Sequence, residues 1–249
     1  MDHLSTDVLV VGAGAAGMYA SVSAAKSGAD VMLCDKSLIS RGGATVMAQM
    51  TVAAAIAHQE ADHWTHHLHD TIQSGQGLCN EKLSYQLCKN APKKILEMRD
   101  WKTDWANDNA RIRQVLAPGH EVKRCCYVDF LNTGPAVART LRGEVAKHKN
   151  IKRISGITII DLVVKKARVV GAIGLHTETG DFVSFTAKAV VLAAGGLTQL
   201  FARNSASKNM GGDPHALALR AGANLIDMEF VQFFPIGHLA PRLVGMDPL

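Results

Sequence analysis

Gly12-Ala-Gly14-Ala-Ala-Gly17 has the spacing that brings a protein backbone against a pyrophosphate. In this pattern Gly12 permits a tight turn, Gly14 gives a phosphate access to the main chain, and Gly17 lets a helix lie close on a strand. Ala15 and Ala16 stand where the first turn of that helix offers free N–H donors to an anion. Asp35, 18 residues beyond Gly17, is placed to accept hydrogen bonds from an adenosine ribose. A second set is the small-residue loop from Ser40 to Gln49, in which Arg41 precedes Gly42, Gly43, Ala44 and Thr45. Paired glycines after an arginine allow close approach to a flat or charged ligand, although a flexible connector would look the same. Later in the chain, Val190-Val-Leu-Ala-Ala194-Gly195-Gly196 repeats the junction of an apolar run with glycine.

These residues need a scaffold, and the flanking sequence supplies one. Asp7 to Val11 is a continuous apolar run with β-branched character, as in a strand buried on both faces of a parallel sheet. Met18 to Ser27 is alanine-rich and closed by Gly28, which predicts a helix. Asp30 to Asp35 reads as the next strand. Strand, glycine turn, helix and strand with a terminal acid define a dinucleotide site, but they serve FAD and NAD equally. The decision comes from Ile157–Val164, Arg168–His176 and Phe182–Ala187, short strands separated by breaks such as Glu178-Thr-Gly-Asp181. They form a meander that feeds the strand Val190–Ala194. A three-stranded meander in place of a crossover helix indicates FAD. The predicted fold is α/β, a two-part Rossmann-like FAD-binding fold of the glutathione-reductase type. It has a parallel sheet and a β-meander over about 157–187.

The middle of the chain carries less chemistry. His63, His66 and His67 have helical spacing and could in principle hold a metal. No His-Glu-x-x-His pattern or cysteine partner supports that, so they are expected on a solvated helix face with Trp64 and Leu68 inward. Leu83, Leu87, Ile95 and Met98 suggest a helix over Glu81–Asp100, interrupted near Pro92. The stretch from Trp101 to Gly119 reads as an irregular excursion. Cys125 and Cys126 read as buried packing, since adjacent cysteines suit a disulfide poorly. Thr133-Gly-Pro135 predicts a helix start, with Val137, Leu141 and Val145 inward.

Composition removes whole classes of function. Among 249 residues, 47% are hydrophobic and 20% charged, which excludes a disordered chain. No apolar run approaches the ~18 residues that span a bilayer. The start runs directly into a strand-like segment, unlike a signal peptide, so a cytoplasmic location is expected. The five cysteines include no Cys-x-x-Cys pair, which fits reduced thiols. The net charge of +5 is dispersed, which argues against nucleic acid as a partner and fits a site for anionic ligands.

Taken together, several segments resemble the succinate dehydrogenase/fumarate reductase flavoprotein family, which includes L-aspartate oxidase and adenylylsulfate reductase. The segments are Gly12–Gly17, Ser40-Arg41 with Ala48-Gln49, Cys125-Cys126-Tyr-Val-Asp129 before Thr133-Gly134, Ala193-Ala-Gly-Gly196, Gly211-Gly-Asp213, and Asp227-Met-Glu-Phe-Val-Gln-Phe-Phe-Pro235. The resemblance covers nearly the whole chain. It implies FAD, hydride transfer at the flavin, a small-molecule substrate, and an iron–sulfur subunit as electron-transfer partner. It also implies a peripheral location at the inner membrane face through such a partner. Gly12, Gly14 and Gly17 would hold the pyrophosphate, Asp35 and Lys36 would lie near the adenosine, and Arg41 to Gln49 would pass along the flavin. Asp213 would contact FAD where a helix starts, beside Ala194, Gly195 and Gly196.

The departures from the family pattern are equally informative. Members with covalent flavin carry a histidine where this chain has Gly42, Gly43 and Ala44, so non-covalent FAD is expected. Dicarboxylate enzymes have His-Pro-Thr where Phe234-Pro235-Ile236 stands, and apolar groups desolvate a carboxylate poorly. Family members are much longer, so 1–240 is expected to be an incomplete FAD-binding domain and 241–249 the start of a missing capping domain. No catalytic acid is identifiable in the chain. The leading reading is the FAD-binding portion of a flavin-dependent oxidoreductase. The alternatives are a catalytically silent FAD-binding or electron-transfer module, and an NAD-dependent dehydrogenase.

Overall fold

The computed structural model describes residues 2–129 and 131–233. In chain order the first elements are Asp2–Val11 (β1), Ala15–Lys26 (α1) and Val31–Asp35 (β2). Val52–Ala53 (β3), Trp64–Ser74 (α2), Glu81–Asp100 (α3), Asn107–Asp108 (β4), Arg111–Ile112 (β5), Gln114–Val115 (β6) and Cys125–Cys126 (β7) follow. The remainder is Thr133–Lys147 (α4), Ile151–Ser155 (β8), Ile157–Lys165 (β9), Arg168–His176 (β10), Phe182–Leu192 (β11) and Asp213–Arg220 (α5). The chain divides into two compact units, one of Met1–Met47 with Leu141–Leu249, the other of Ala48–Thr140.

The first unit is built on a six-stranded sheet in the order β8-β2-β1-β11-β10-β9. Strands β8, β2, β1 and β11 run parallel, while β10 pairs antiparallel with both β11 and β9. Burial on both faces explains the continuous apolar runs. Leu9, Val11, Met32 and Cys34 share a core with Phe185 and with Leu217 of α5. Their neighbours Val10, Val31 and Leu33 point the other way and are equally buried, on the face left to α1. Register fixes what meets at the carboxyl edge. Val11 stands beside Cys34 on one side and Leu192 on the other, so Gly12, Asp35 and Ala193 emerge together. That edge, where strand order reverses around β1, is where open α/β sheets bind ligands.

Phe182–Ala187 and Val190–Ala194, expected as two strands, form one. Along its length β11 pairs with β1, and its first half also pairs with β10, so the meander extends the main sheet without a break. The first strand begins earlier than its apolar core, because the mostly polar segment Asp2–Thr6 also pairs with β11.

The second unit holds a small antiparallel sheet, β3-β7-β6, and the α2–α3 pair. Here the expectations need two corrections. Helix α3 is continuous through Pro92, because Cys88, Ile95 and Met98 are buried on either side of it and outweigh one lost hydrogen bond. Of the apolar positions that mark this helix, Leu83 and Leu87 are exposed. Likewise His67 does not share a solvated face with His63 and His66; it is buried together with Asp70.

The reason is a buried ionic cluster around Arg124, which has no exposed surface. Its Nε and Nη2 donate to Asp62 at 3.0 and 3.2 Å, and Nη1 donates to Asp70 at 2.5 Å. Nη1 also donates to His120 Nδ1 at 3.3 Å; arginine has no acceptor, so this nitrogen must be unprotonated. The His67 and His120 rings lie 5.5 Å apart, and His67 Nδ1 is buried without a hydrogen bond. Burial, then Arg124 and His120, push His67 down to about 4, against the opposing carboxylates of Asp62 and Asp70. Burial and Arg124 lower His120 as well. A histidine whose pKa is depressed on folding is bound by more protons in the unfolded chain, so stability falls as pH falls. The window runs from the ordinary 6.5 down to about 4. Urea unfolding across it should show a falling midpoint, and His67→Leu should flatten that slope; an unchanged slope would place the pH response elsewhere.

Cys125 and Cys126 are buried free thiols, with Cys126 pushed up to about 12 by burial and by Cys125. They are packing residues.

Candidate functional site

The two glycine junctions line one groove at the carboxyl edge of the sheet. Its walls include Gly12, Gly14, Ala15 and Ala16 from the first junction, and Ala193, Ala194 and Gly195 from the second. Asp35 and Lys36 follow β2, Gly42 to Thr45 form the facing loop, and Asp213 opens α5. Of the other residues singled out from sequence, Gly17 is buried behind the groove, where its bare Cα packs on the Gly12 carbonyl. Arg41 and Gly196 are not in the walls, and Gln49 belongs to the other unit. The walls also contain Cys34, Ile157, Thr158, Ile159, Asn209, Met210 and Leu217, which no motif announced. The nearest signal was Gly156, a left-handed glycine that bends the chain from β8 into β9.

Local hydrogen bonds hold this geometry. Gly14 caps α1 without a side-chain bond, and the first turn contains no acidic residue. The Ala15 N–H instead donates to Thr45 Oγ1 at 2.9 Å, so the helix N-terminus already holds an oxygen. Asp35 Oδ2 accepts the Ala13 N–H at 2.6 Å, and Oδ1 accepts both the N–H and the hydroxyl of Ser37 at 2.8 Å. Lys36 and Asp213 form an ion pair at 2.8 Å. Ser40 is buried at a left-handed φ of 59°, and Arg142 donates to its hydroxyl at 3.2 Å. That contact steadies the loop before Arg41.

The chemistry of the walls is that of binding. Cys34 forms part of them, and burial followed by the Asp35 charge pushes its thiol up to about 12, so it stays protonated. Asp35, Lys36 and Asp213 are each engaged in a hydrogen bond or ion pair. The groove offers amide donors at a helix N-terminus, a cation, and a carboxylate with lone pairs to spare. It suits a ligand with a phosphate centre and a hydroxyl-bearing end.

Fold and groove together define a dinucleotide-binding α/β unit with a β-meander, the form that flavoproteins use. The chain belongs to the FAD binding domain family, which it matches over residues 7–244. It is 34% identical over 242 residues to an uncharacterized FAD-dependent oxidoreductase of Methanocaldococcus jannaschii, covering 97% of this chain and 44% of that one. It is 32% identical to the succinate dehydrogenase flavoprotein subunit of Rickettsia bellii, with 94% of this chain and 40% of the relative covered. The FrdA chain of E. coli quinol fumarate reductase superposes with a TM-score of 0.92 at 28% identity, covering 98% of this chain and 42% of that chain. The chain thus spans about two-fifths of the length of the curated relatives it matches. It binds FAD as a member of this family. Among the described residues no helix is long and apolar enough to cross a membrane.

Proposed function

We propose that the chain is the FAD-holding part of an oxidoreductase of the succinate dehydrogenase/fumarate reductase type, and that it holds FAD without a covalent bond. The observation that carries this is the single groove shared by both glycine junctions. When bound, FAD supplies a ring that accepts or donates hydride. The protein's part is to bind and orient. Gly12 and Gly14 let the main chain approach the pyrophosphate, and the first-turn amide of Ala16 donates to it, the Ala15 N–H being held by Thr45. Asp35 receives ribose hydroxyls through lone pairs left free by Ala13 and Ser37. Lys36 and Asp213 close the adenosine side, and Gly42 to Thr45, Ala194 and Gly195 flank the rest.

Non-covalent attachment is supported by the residues that could attack the ring. Ala44 has no nucleophile, and Cys34 is a protonated thiol in the core. The purified chain should therefore take up FAD and release it fully into the supernatant on acid precipitation. Yellow colour retained in the precipitate would contradict the assignment.

In this reading residues 1–240 serve the cofactor and 241–249 lead into a capping domain; 241–249 lie outside the described residues. So do Phe234, Pro235 and Ile236, whose apolar character argues against a dicarboxylate substrate. The substrate is a small molecule, and electrons pass to an iron–sulfur subunit that brings the cytoplasmic assembly to the membrane face. A second reading, a module that binds FAD or relays electrons without turnover of its own, is favoured by groove walls whose carboxylates and lysine are already paired. Reduced-dye oxidation by fumarate, catalysed by this chain alone, would exclude it.

A further inference from the structure

Asn209 lines the groove, yet no part of either glycine pattern requires it. Its amide Nδ2 donates to Ser37 Oγ at 3.1 Å. Ser37 gives its hydroxyl proton to Asp35 Oδ1 at 2.8 Å, and Asp35 Oδ2 holds the Ala13 N–H at 2.6 Å. An unbroken run of hydrogen bonds therefore leads from the first glycine turn, past the end of β2, to the loop before α5. That loop is tied on its other side as well: the Gln199 N–H donates to the Met210 carbonyl at 3.0 Å, and the Gly212 N–H to the Gly196 carbonyl at 3.1 Å. Gly42 packs against the meeting point. A Cβ there would lie 2.5 Å from Ser37 Oγ and would also strike Asn209 Nδ2, so glycine leaves the room the contact needs.

We propose that Ser37 and Asn209 are positioning residues for FAD, clasping the second junction's loop to the Asp35 carboxylate and so pre-forming the adenosine end of the groove. The proposal rests on the FAD-binding reading above and adds two residues to it. The direction of the clasp is fixed by proton count. A serine hydroxyl has one proton, already given to Asp35, so its lone pair must take the Asn209 amide. Without this bond the loop from Asn204 to Gly212 must be ordered when the ligand arrives, and that entropy weakens binding. The Lys36–Asp213 ion pair joins the same two segments but is partly exposed and screened by salt. At high salt the neutral clasp is left to act.

The test is calorimetric titration of the chain with FAD and with ADP at high salt, alongside hydrogen exchange of the ligand-free protein. Asn209→Ala should weaken FAD and ADP by the same factor, about three- to tenfold, the worth of one neutral hydrogen bond. Ser37→Ala, which also removes the bond to the Asp35 carboxylate, should weaken both by at least as much. Ser37→Thr keeps the hydroxyl and should bind as the parent does. Amides 204–212 should exchange faster in both alanine variants. A general loss of fold would instead speed exchange throughout the sheet and not at 204–212 alone. Equal affinity of the alanine variants and the parent would overturn the clasp alone. So would a loss confined to FAD, or failure of Ser37→Thr to restore binding. If the parent chain bound neither FAD nor ADP, the FAD-binding reading itself would fall and take the clasp with it.

Discussion

Gly12→Ala is expected to abolish measurable FAD binding and to destabilise the fold by about 2–5 kcal/mol. Two independent causes add. Gly12 has φ of 101°, a left-handed conformation that costs an alanine roughly 1–2 kcal/mol. A Cβ at this position would also meet the Ala193 carbonyl and come within 2.6 Å of Ala194 Cα, and both are backbone atoms of the other junction. Neither side can yield cheaply. The Gly12 N–H is bonded to the Cys34 carbonyl at 2.7 Å, and the Ala193 N–H to the Val11 carbonyl at 2.8 Å. Any relief would pull β11 away from β1 at the point where the groove opens. Gly43→Ala separates the two causes. Gly43 has φ of 78° with nothing within 4 Å of the added carbon, so only the conformational cost, about 1–2 kcal/mol, should appear. Urea denaturation and flavin-fluorescence titration of both variants check the argument. A Gly12→Ala protein that binds FAD within about threefold of the parent would refute the shared-groove geometry.

Much of that geometry was legible in the sequence because its signals are local. Val8–Val11 and Val31–Cys34 announce buried parallel strands through composition alone, and Gly12, Gly14 and Gly17 mark backbone demands that few other residues meet. Turn residues likewise placed β9, β10 and the start of β11. What stayed hidden depended on partners distant in the chain. Nothing local says that β11 runs unbroken past Lys188, because the pairing that carries it comes from β1. Cys34, Ile157 and Asn209 reach the groove through sheet order and loop closure, neither of which leaves a periodic trace. The same holds for α3. A proline inside a helix predicts a break, and only the burial of Ile95 and Met98 beyond it explains why the helix continues.

The histidine-rich segment follows the same rule: His67 and Asp70 are buried there by Arg124, a partner distant in the chain, and that arginine supports the second large prediction. Arg124→Met should destabilise the unit of Ala48–Thr140 by about 3–5 kcal/mol, because it strands two buried carboxylates. Asp62 has no exposed side-chain surface and Asp70 has 3%, so neither can recover water in place of the guanidinium. Arg124→Lys should recover only part of the loss. One ammonium cannot make the paired bonds to Asp62 and still reach Asp70 and His120. High salt should leave the deficit in place, since a buried cluster is poorly screened. The decisive measurement is a set of variants, because a buried ion cluster stabilises far less than its disruption costs. Asp62→Asn and Asp70→Asn combined with Arg124→Met should restore most of the lost stability, a strongly non-additive result. Urea unfolding, with limited proteolysis inside 48–140 as the local reporter, would read it. If the triple variant were as unstable as the sum of its parts, Arg124 would act through packing and not through charge.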